Sequence, residues 1–192
     1  MRLGAVLLAA GRGERFGGNK LLADFGGRTL IGCAAGAMCL CGAQRLAAVV
    51  SCGETAEIVK ACGMEVIWND SPEKGQSHSI RLGVSAMQEM DAVLLMAADQ
   101  PRLTGASLAH LVSEYRRRGK GLACLSDETH RGNPAVFSSA YFEALLSLSG
   151  DRGAKGILRL HEDDLTVVRC LERHELADAD TPGALAELAA LG

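Results

Sequence analysis

Three stretches of the sequence place charge or flexible backbone where chemistry can be done. The first is "LLAAGRGERFGGNKLL", residues 7–22, an apolar run followed by Gly11, Gly13, Gly17 and Gly18 and by the cations Arg12, Arg15 and Lys20. Glycine lets the chain turn tightly and lets amides approach phosphate oxygens, and the cations suit a polyphosphate. Lys20 and Arg15 are the stronger candidates, because Arg12 equally suits a solvated surface. A tight strand-to-helix turn without phosphate is the competing reading. A Walker loop would need Ser or Thr after its lysine, where this chain has Leu21. The dinucleotide fingerprint GxGxxG is one residue shorter than "GRGERFG".

The second stretch is "AVLLMAADQP", in which Asp99 follows an unbroken apolar run. An aspartate at such a strand tip is placed to hold Mg²⁺, which takes few carboxylates and completes its shell with water or phosphate. A turn or helix-cap aspartate ahead of Pro101 is the alternative. The third stretch is "DADTP", residues 178–182. In extended chain the i,i+2 spacing puts Asp178 and Asp180 on one side. Asp180 suits a metal, with Asp178 orienting the loop; either Asp180 or Thr181 would cap the last helix. Taken together, Lys20, Asp99 and Asp180 suit attack on an α-phosphorus with pyrophosphate leaving. Mg²⁺ and lysine would offset the charge that develops on the phosphoryl oxygens. No protein nucleophile is required.

These residues need a scaffold that brings them together. Apolar runs at 3–9, 45–52, 64–69, 92–97, 121–126, 133–138 and 165–171 read as strands. Helices are expected at 29–43, 54–61, 77–87, 105–118, in "SAYFEALLSL" and "GAKGILRLH", and from Pro182 onward, where proline suits the first helical position. The alternation predicts a Rossmann-like three-layer α/β/α sandwich with a mainly parallel sheet. Such sheets bind ligands beyond the C-terminal ends of their strands. Residues 127–137 are expected to form a small lobe over the site.

The 192 residues suit one domain, with 48% hydrophobic residues for a core and a formal net charge of -3 that does not suggest a nucleic-acid binder. The apolar start is too short for a membrane span and lacks the layout of a signal peptide. Seven cysteines, with only a Cys39–Cys41 CxC pair, read as structural or incidental thiols in a reducing, cytoplasmic setting. The five histidines do not cluster, although His78 falls beside the proposed nucleotide segment. Trp68, Phe137, Met87, Met90 and Met96 read as packing residues.

The motifs also resemble a known family. "LLAAGRGERFGGNKLL" looks like the LAAGxSxRxGxxK signature of the MobA-like nucleotidyltransferases, and within them the chain is similar to molybdenum cofactor cytidylyltransferases. The match continues through "NDSPEKGQSHSIRLGV", "LLMAADQPRLT", "HRGNPAVFS", "GDRGAKGIL" and "DADTP", in order along nearly the whole chain. The resemblance implies transfer of CMP from CTP to the terminal phosphate of molybdenum-loaded molybdopterin. It places Ala9, Ala10, Gly11, Arg12, Gly13, Arg15 and Lys20 on the triphosphate, with Lys20 nearest the reacting phosphates. It assigns Mg²⁺ to Asp99 and Asp180, and the nucleotide pocket to Gly75, Gln76 and Ser79. The acceptor side falls to 130–136 and 150–155, including Asn133, Pro134 and Asp151. On this basis 1–192 forms one domain, its N-terminal part mainly binding nucleotide and 127–182 supplying acceptor and metal loops.

Two departures bear on these roles. Gly13 stands where the family often has serine, so a hydroxyl contact is replaced by an amide. Asn133 stands where the family commonly has histidine, and an amide cannot gain charge near neutral pH. "LAAG" resembles the cytidylyl branch, whereas the guanylyl branch more often reads "LAGG". A related transferase using GTP or another phosphorylated acceptor, and a non-catalytic molybdopterin carrier, are the alternatives. Transient contact with a molybdenum hydroxylase or its maturation chaperone is a further implication of the resemblance.

Overall fold

Alternate residues of the first strand, β1 (Leu3–Ala9), enter two different cores. Leu3, Ala5, Leu7 and Ala9 face one layer, and Val6 faces the other. Side chains of a strand point alternately to its two faces, so an unbroken apolar run is what a sheet covered on both faces requires. The structure is a computed structural model that describes residues 1–11, 16, 18–127, 129–150 and 153–191.

The remaining sheet strands are β4 (Arg45–Val50), β5 (Glu65–Trp68), β6 (Ala92–Ala97), β7 (Leu122–Ser126), β8 (Arg131–Ser138) and β9 (Leu165–Arg169), after a small hairpin of β2 (Asp24–Phe25) and β3 (Arg28–Thr29). Spatial order in the main sheet is β5-β4-β1-β6-β8-β7-β9. β1 pairs in parallel with both β4 and β6, and β4 with β5. β8 is the exception, running antiparallel to β6 and to β7. This is the expected three-layer sandwich with a mainly parallel sheet.

Helices α1 (Leu30–Met38), α2 (Gly53–Ala61) and α4 (Gly105–Arg118) cover one face. Helices α3 (Gln76–Ser85), α5 (Phe142–Leu146) and α6 (Lys155–Leu160) cover the other. Thr29 and Thr104 cap α1 and α4 by accepting the amides of Gly32 and Ser107. α3 lies so close to β1 that a Cβ at Gly83 would stand 2.5 Å from Val6. Glycine is therefore required there for helix-to-strand approach. A third apolar cluster joins Leu30, Ala179 and the last helix, α7 (Pro182–Ala190), with Phe16 and Phe25 packed against it. It fastens the chain around 177–179 beside Phe16 and Phe25.

Two expectations are corrected, and one element is added. Residues 131–137 do not form a lobe: they belong to β8, inserted in the sheet between β6 and β7. "NPAVF" is apolar enough to be buried on both faces, and Val136 and Phe137 are fully buried. Trp68 is not a packing residue, because it lies on the edge strand β5 and is 49% exposed. The β2–β3 hairpin was not foreseen, although its turn residues Gly26 and Gly27, both at positive φ, are a standard hairpin signal.

All seven cysteines are free thiols. Among the described residues no helix is long and apolar enough to cross a membrane.

Candidate active site

From β1 the chain goes outward to β4 and β5, then returns to β6 on the other side of β1. A crevice opens at such a reversal, beyond the C-terminal ends of the strands. β1 delivers Ala9–Gly11 there, and β6 delivers Asp99. The segment after β9 returns to the same place, held by a hydrogen bond of 2.9 Å from the Ala179 amide to the Asp99 carbonyl.

Lys20 is carried on a short 3-10 turn, Lys20–Leu22, capped by Asn19, whose Oδ1 accepts the Leu21 amide. The Asn19 amide also donates to Cys52 Sγ at 3.0 Å, tying the turn to the start of α2. From this position the Lys20 ammonium donates to Asp99 Oδ2 at 2.9 Å and to Asp180 Oδ1 at 3.0 Å. Its side chain is only 13% exposed. Burial alone would lower the ammonium, but the two carboxylates outweigh it and hold Lys20 above its ordinary value.

The helix-cap alternatives left open by the sequence are settled here. Thr181 caps α7 by accepting the Ala184 amide, which leaves Asp180 available to Lys20. Thr104 caps α4, so Asp99 is not a helix cap. Asp178 accepts from Gln100 Nε2 at 3.0 Å. Burial, followed by the charge of Asp99, pushes its carboxyl up; the Gln100 bond and the Lys155 charge pull the other way.

A divalent cation fits this donor set. Asp99 Oδ1 is buried and has no hydrogen-bond partner among the described residues, although its sister oxygen is taken by Lys20. An orphaned carboxylate oxygen beside a second carboxylate is chemistry that a hard cation satisfies. Among the described residues no group of three or more His, Cys, Asp or Glu side chains makes a metal centre by itself. A cation that shares its shell with substrate phosphates needs only one or two carboxylates.

The other expected residues are distributed around this pair. Ala9 and Ala10 are buried, and the Ala10 carbonyl accepts from Ser51 Oγ at 3.3 Å. Gly11 is exposed. Gly75 opens α3 at φ 81°, a conformation that favours glycine, and Gln76 begins the helix. Ser79 is buried and accepts from Asn69 Nδ2 at 3.0 Å. Gly150 and Gly153 lie on the start of α3: the Ser77 amide donates to the Gly150 carbonyl, and a Cβ at Gly153 would stand 2.6 Å from Gln76 Oε1. Two segments that the sequence offered separately are thus in contact. Asn133 and Pro134 lie in β8, with both ends of the Asn133 amide engaged inside the protein. Arg12, Gly13, Arg15 and Asp151 lie outside the described residues.

Two residues that sequence reasoning passed over support the site. Gln100, 3% exposed, bonds to Asn133, to Asp178 and to the Leu176 carbonyl. Glu175 is fully buried; it accepts from the Thr104 amide and hydroxyl, from Ser107 Oγ and from the Glu172 amide. The only hint of Gln100 was its place directly after Asp99. Nothing in the local pattern marks Glu175.

The comparisons with known proteins agree with this fold. Residues 5–166 match the MobA-like NTP transferase domain. The chain is 30% identical to nicotine blue oxidoreductase of Paenarthrobacter nicotinovorans over 186 residues, covering 92% of this chain and 91% of that protein. It is likewise 30% identical over 190 residues to purine catabolism protein PucB of Bacillus subtilis, with the same coverage of each. A probable molybdenum cofactor guanylyltransferase of Pyrococcus horikoshii is 26% identical over 163 residues, 83% of this chain and 80% of that one. Among solved structures, a nucleotidyl transferase from Methanothermobacter has the same fold, with a TM-score of 0.83 at 23% identity over 98% of this chain and 96% of that one. The crevice built by Lys20, Asp99 and Asp180 therefore sits in a chain that belongs to the MobA-like NTP transferase family.

Proposed function

We propose that this protein transfers CMP from CTP to the terminal phosphate of molybdenum-loaded molybdopterin, giving molybdopterin cytosine dinucleotide and pyrophosphate, with Mg²⁺ as the cation. The observation that carries the reading is the Lys20 ammonium between Asp99 and Asp180, beside an unsatisfied Asp99 oxygen. Membership of an NTP transferase family and the relative named as a molybdenum cofactor guanylyltransferase support it.

In this reading an oxygen of the acceptor phosphate attacks the α-phosphorus of CTP. The bond from that phosphorus to the bridging oxygen breaks, and pyrophosphate leaves with the electron pair. A phosphate acceptor is already anionic near neutral pH, so no protein base has to remove a proton. Asp99 and Asp180 would hold Mg²⁺, which when bound lowers the cost of negative charge on the phosphoryl oxygens. Lys20 stays protonated and follows the phosphates with its charge. Gly11 and the start of α3 after Gly75 would line the nucleotide side, and β8 with Gly150 and Gly153 the acceptor side. The product then passes to a molybdenum hydroxylase or its maturation chaperone by transient contact.

The choice of CTP rests on the resemblance of "LAAG" to the cytidylyl branch, where the guanylyl branch more often has glycine at the position of Ala10. GTP is the second reading, favoured by the name of the guanylyltransferase relative. Pyrophosphate release from CTP, GTP and ATP, each with molybdenum-loaded molybdopterin and Mg²⁺, separates the two. A clear preference for CTP is expected; a preference for GTP would overturn the base assignment and leave the chemistry standing.

A further inference from the structure

Ladder pairing between β6 and β8 runs from Ala92–Ser138 to Leu95–Ala135 and stops where Pro134, which has no N–H, enters the strand. The Asn133 side chain takes over beyond that point. Its Oδ1 accepts the Ala97 amide at 3.1 Å, and its Nδ2 donates to Gln100 Oε1 at 3.0 Å. Gln100 Nε2 then donates to the Leu176 carbonyl at 3.1 Å and to Asp178 Oδ1 at 3.0 Å. The two amides are oriented by this sequence of partners. A backbone N–H can only donate, so the oxygen of Asn133 must face Ala97 and its nitrogen must face Gln100. The oxygen of Gln100 must then face Asn133, which leaves its nitrogen for the strap at 176–178. Flipping either amide would set donor against donor or acceptor against acceptor.

We propose that Gln100 is a positioning residue for the cation site. Oriented by Asn133, it gives Asp178 a neutral donor and holds the strap so that Asp180 reaches Asp99. The need for such a donor is electrostatic. Asp178 lies near both Asp99 and Asp180, and three carboxylates in one crevice repel each other unless some oxygens are satisfied. Gln100 satisfies one of them without adding charge. It also fastens the backbone two residues upstream, at Leu176, so the strap has two anchors on a single side chain. This proposal rests on the reading of Asp99 and Asp180 as cation ligands.

Three variants test it in the full-length protein: Gln100→Met, similar in length but unable to donate; Gln100→Glu, which when ionised accepts but cannot donate; and Asn133→Ala, which frees the Gln100 amide to turn. Mn²⁺ binding is read by electron paramagnetic resonance with and without CTP, alongside CTP binding in the absence of metal and thermal unfolding. The expected result is Mn²⁺ affinity weakened about tenfold or more in Gln100→Met and Gln100→Glu, on the scale of one lost hydrogen bond to a charged group. Metal-free CTP binding should stay within about twofold, on the same scale of one local bond. Asn133→Ala should weaken Mn²⁺ binding in the same direction, and Asn133→His should recover it. A neutral imidazole can accept from Ala97 with one nitrogen and donate to Gln100 with the other.

Unchanged Mn²⁺ affinity in both Gln100 variants would overturn the proposal. So would equal losses of Mn²⁺ binding, metal-free CTP binding and melting temperature, which would reduce Gln100 to a general packing role. Asp99→Asn separates this outcome from failure of the underlying reading. If Asp99→Asn abolishes Mn²⁺ binding and Gln100→Met does not alter it, only the role of Gln100 fails; if Asp99→Asn leaves Mn²⁺ binding intact, the cation site fails with it.

Discussion

Lys20 and Asp99 are 79 residues apart in sequence, yet their charged atoms meet at 2.9 Å. The same ammonium touches Asp180 at 3.0 Å, so one lysine bridges the two carboxylates assigned to the cation. A cation shared by both carboxylates must displace it. Lys20→Met should therefore strengthen Mn²⁺ binding measured without nucleotide, because the competing charge is gone. Turnover should fall about 100-fold or more, the scale seen on losing an electrostatic contact in a transition state. Mn²⁺ titration and pyrophosphate release on the same variant check both halves.

Glu175 is the buried anchor of the strap that carries Asp178 and Asp180. Its two oxygens accept four hydrogen bonds, from Thr104, Ser107 and Glu172. Glu175→Ala leaves those donors without partners, at a cost of about 2–3 kcal/mol in unfolding free energy. Urea denaturation measures this directly. Activity should fall as well, because the start of α4 and the strap would no longer be joined.

The pH dependence of stability has a clear sign at Tyr141 and Asp164, whose side chains meet at 2.8 Å. Burial first, then the Asp164 carboxylate, pushes the Tyr141 phenol up to about 12 from an ordinary value of 10.0. A raised pKa gives stability that is complete below pH 10 and is lost as pH climbs toward 12. The Gly121 amide first, with help from Tyr141 and Lys120, holds Asp164 below its ordinary 3.8. That contribution is present above 3.8 and is lost as the solution is acidified through the lowered value. The stability advantage of the wild type over Tyr141→Phe should hold from pH 6 to pH 9 and shrink by pH 11, read by chemical denaturation.

Thiol labelling should separate the cysteines. Reaction needs the thiolate and access to it. Cys39 is exposed and Cys41 and Cys124 are buried. Burial first, then the Glu175 carboxylate, pushes the Cys170 thiol up to about 12. With a disulfide reagent at pH 8, Cys39 should react first, and Cys41, Cys124 and Cys170 only after unfolding. Rapid labelling of Cys170 in the native protein would contradict the packing around Glu175. Mass mapping of the labelled peptides identifies each site.

Much of this architecture is legible in the chain because buried strands and helix caps are local. The run at 92–97 and the helix at 105–118 appear as β6 and α4 with the same limits. Pro182 opens α7 as its residue type requires. Lys20, Asp99 and Asp180 could be selected because each follows a recognisable strand end or precedes a helix start. The direction of β8 could not be read, because "NPAVF" is equally apolar in either orientation. Gln100 and Glu175 were missed for a related reason: a polar residue inside the protein is recognised by its partners, and all of theirs but Glu172 lie 33 to 78 residues away. The motif of Asn133 does not show the partners of its amide, Ala97 and Gln100, which lie 36 and 33 residues away.

In the proposed reaction this crevice moves a nucleotide's α-phosphate onto an acceptor phosphate. The most direct measurement uses CTP labelled at the α-phosphorus, incubated with molybdenum-loaded molybdopterin and Mg²⁺, for the wild type and for Asp99→Asn. The account predicts label in a pterin dinucleotide, with one pyrophosphate released per product, and loss of both with Asp99→Asn. Folded wild-type protein that binds the pterin but transfers no label from CTP, GTP or ATP would contradict it and make the protein a carrier.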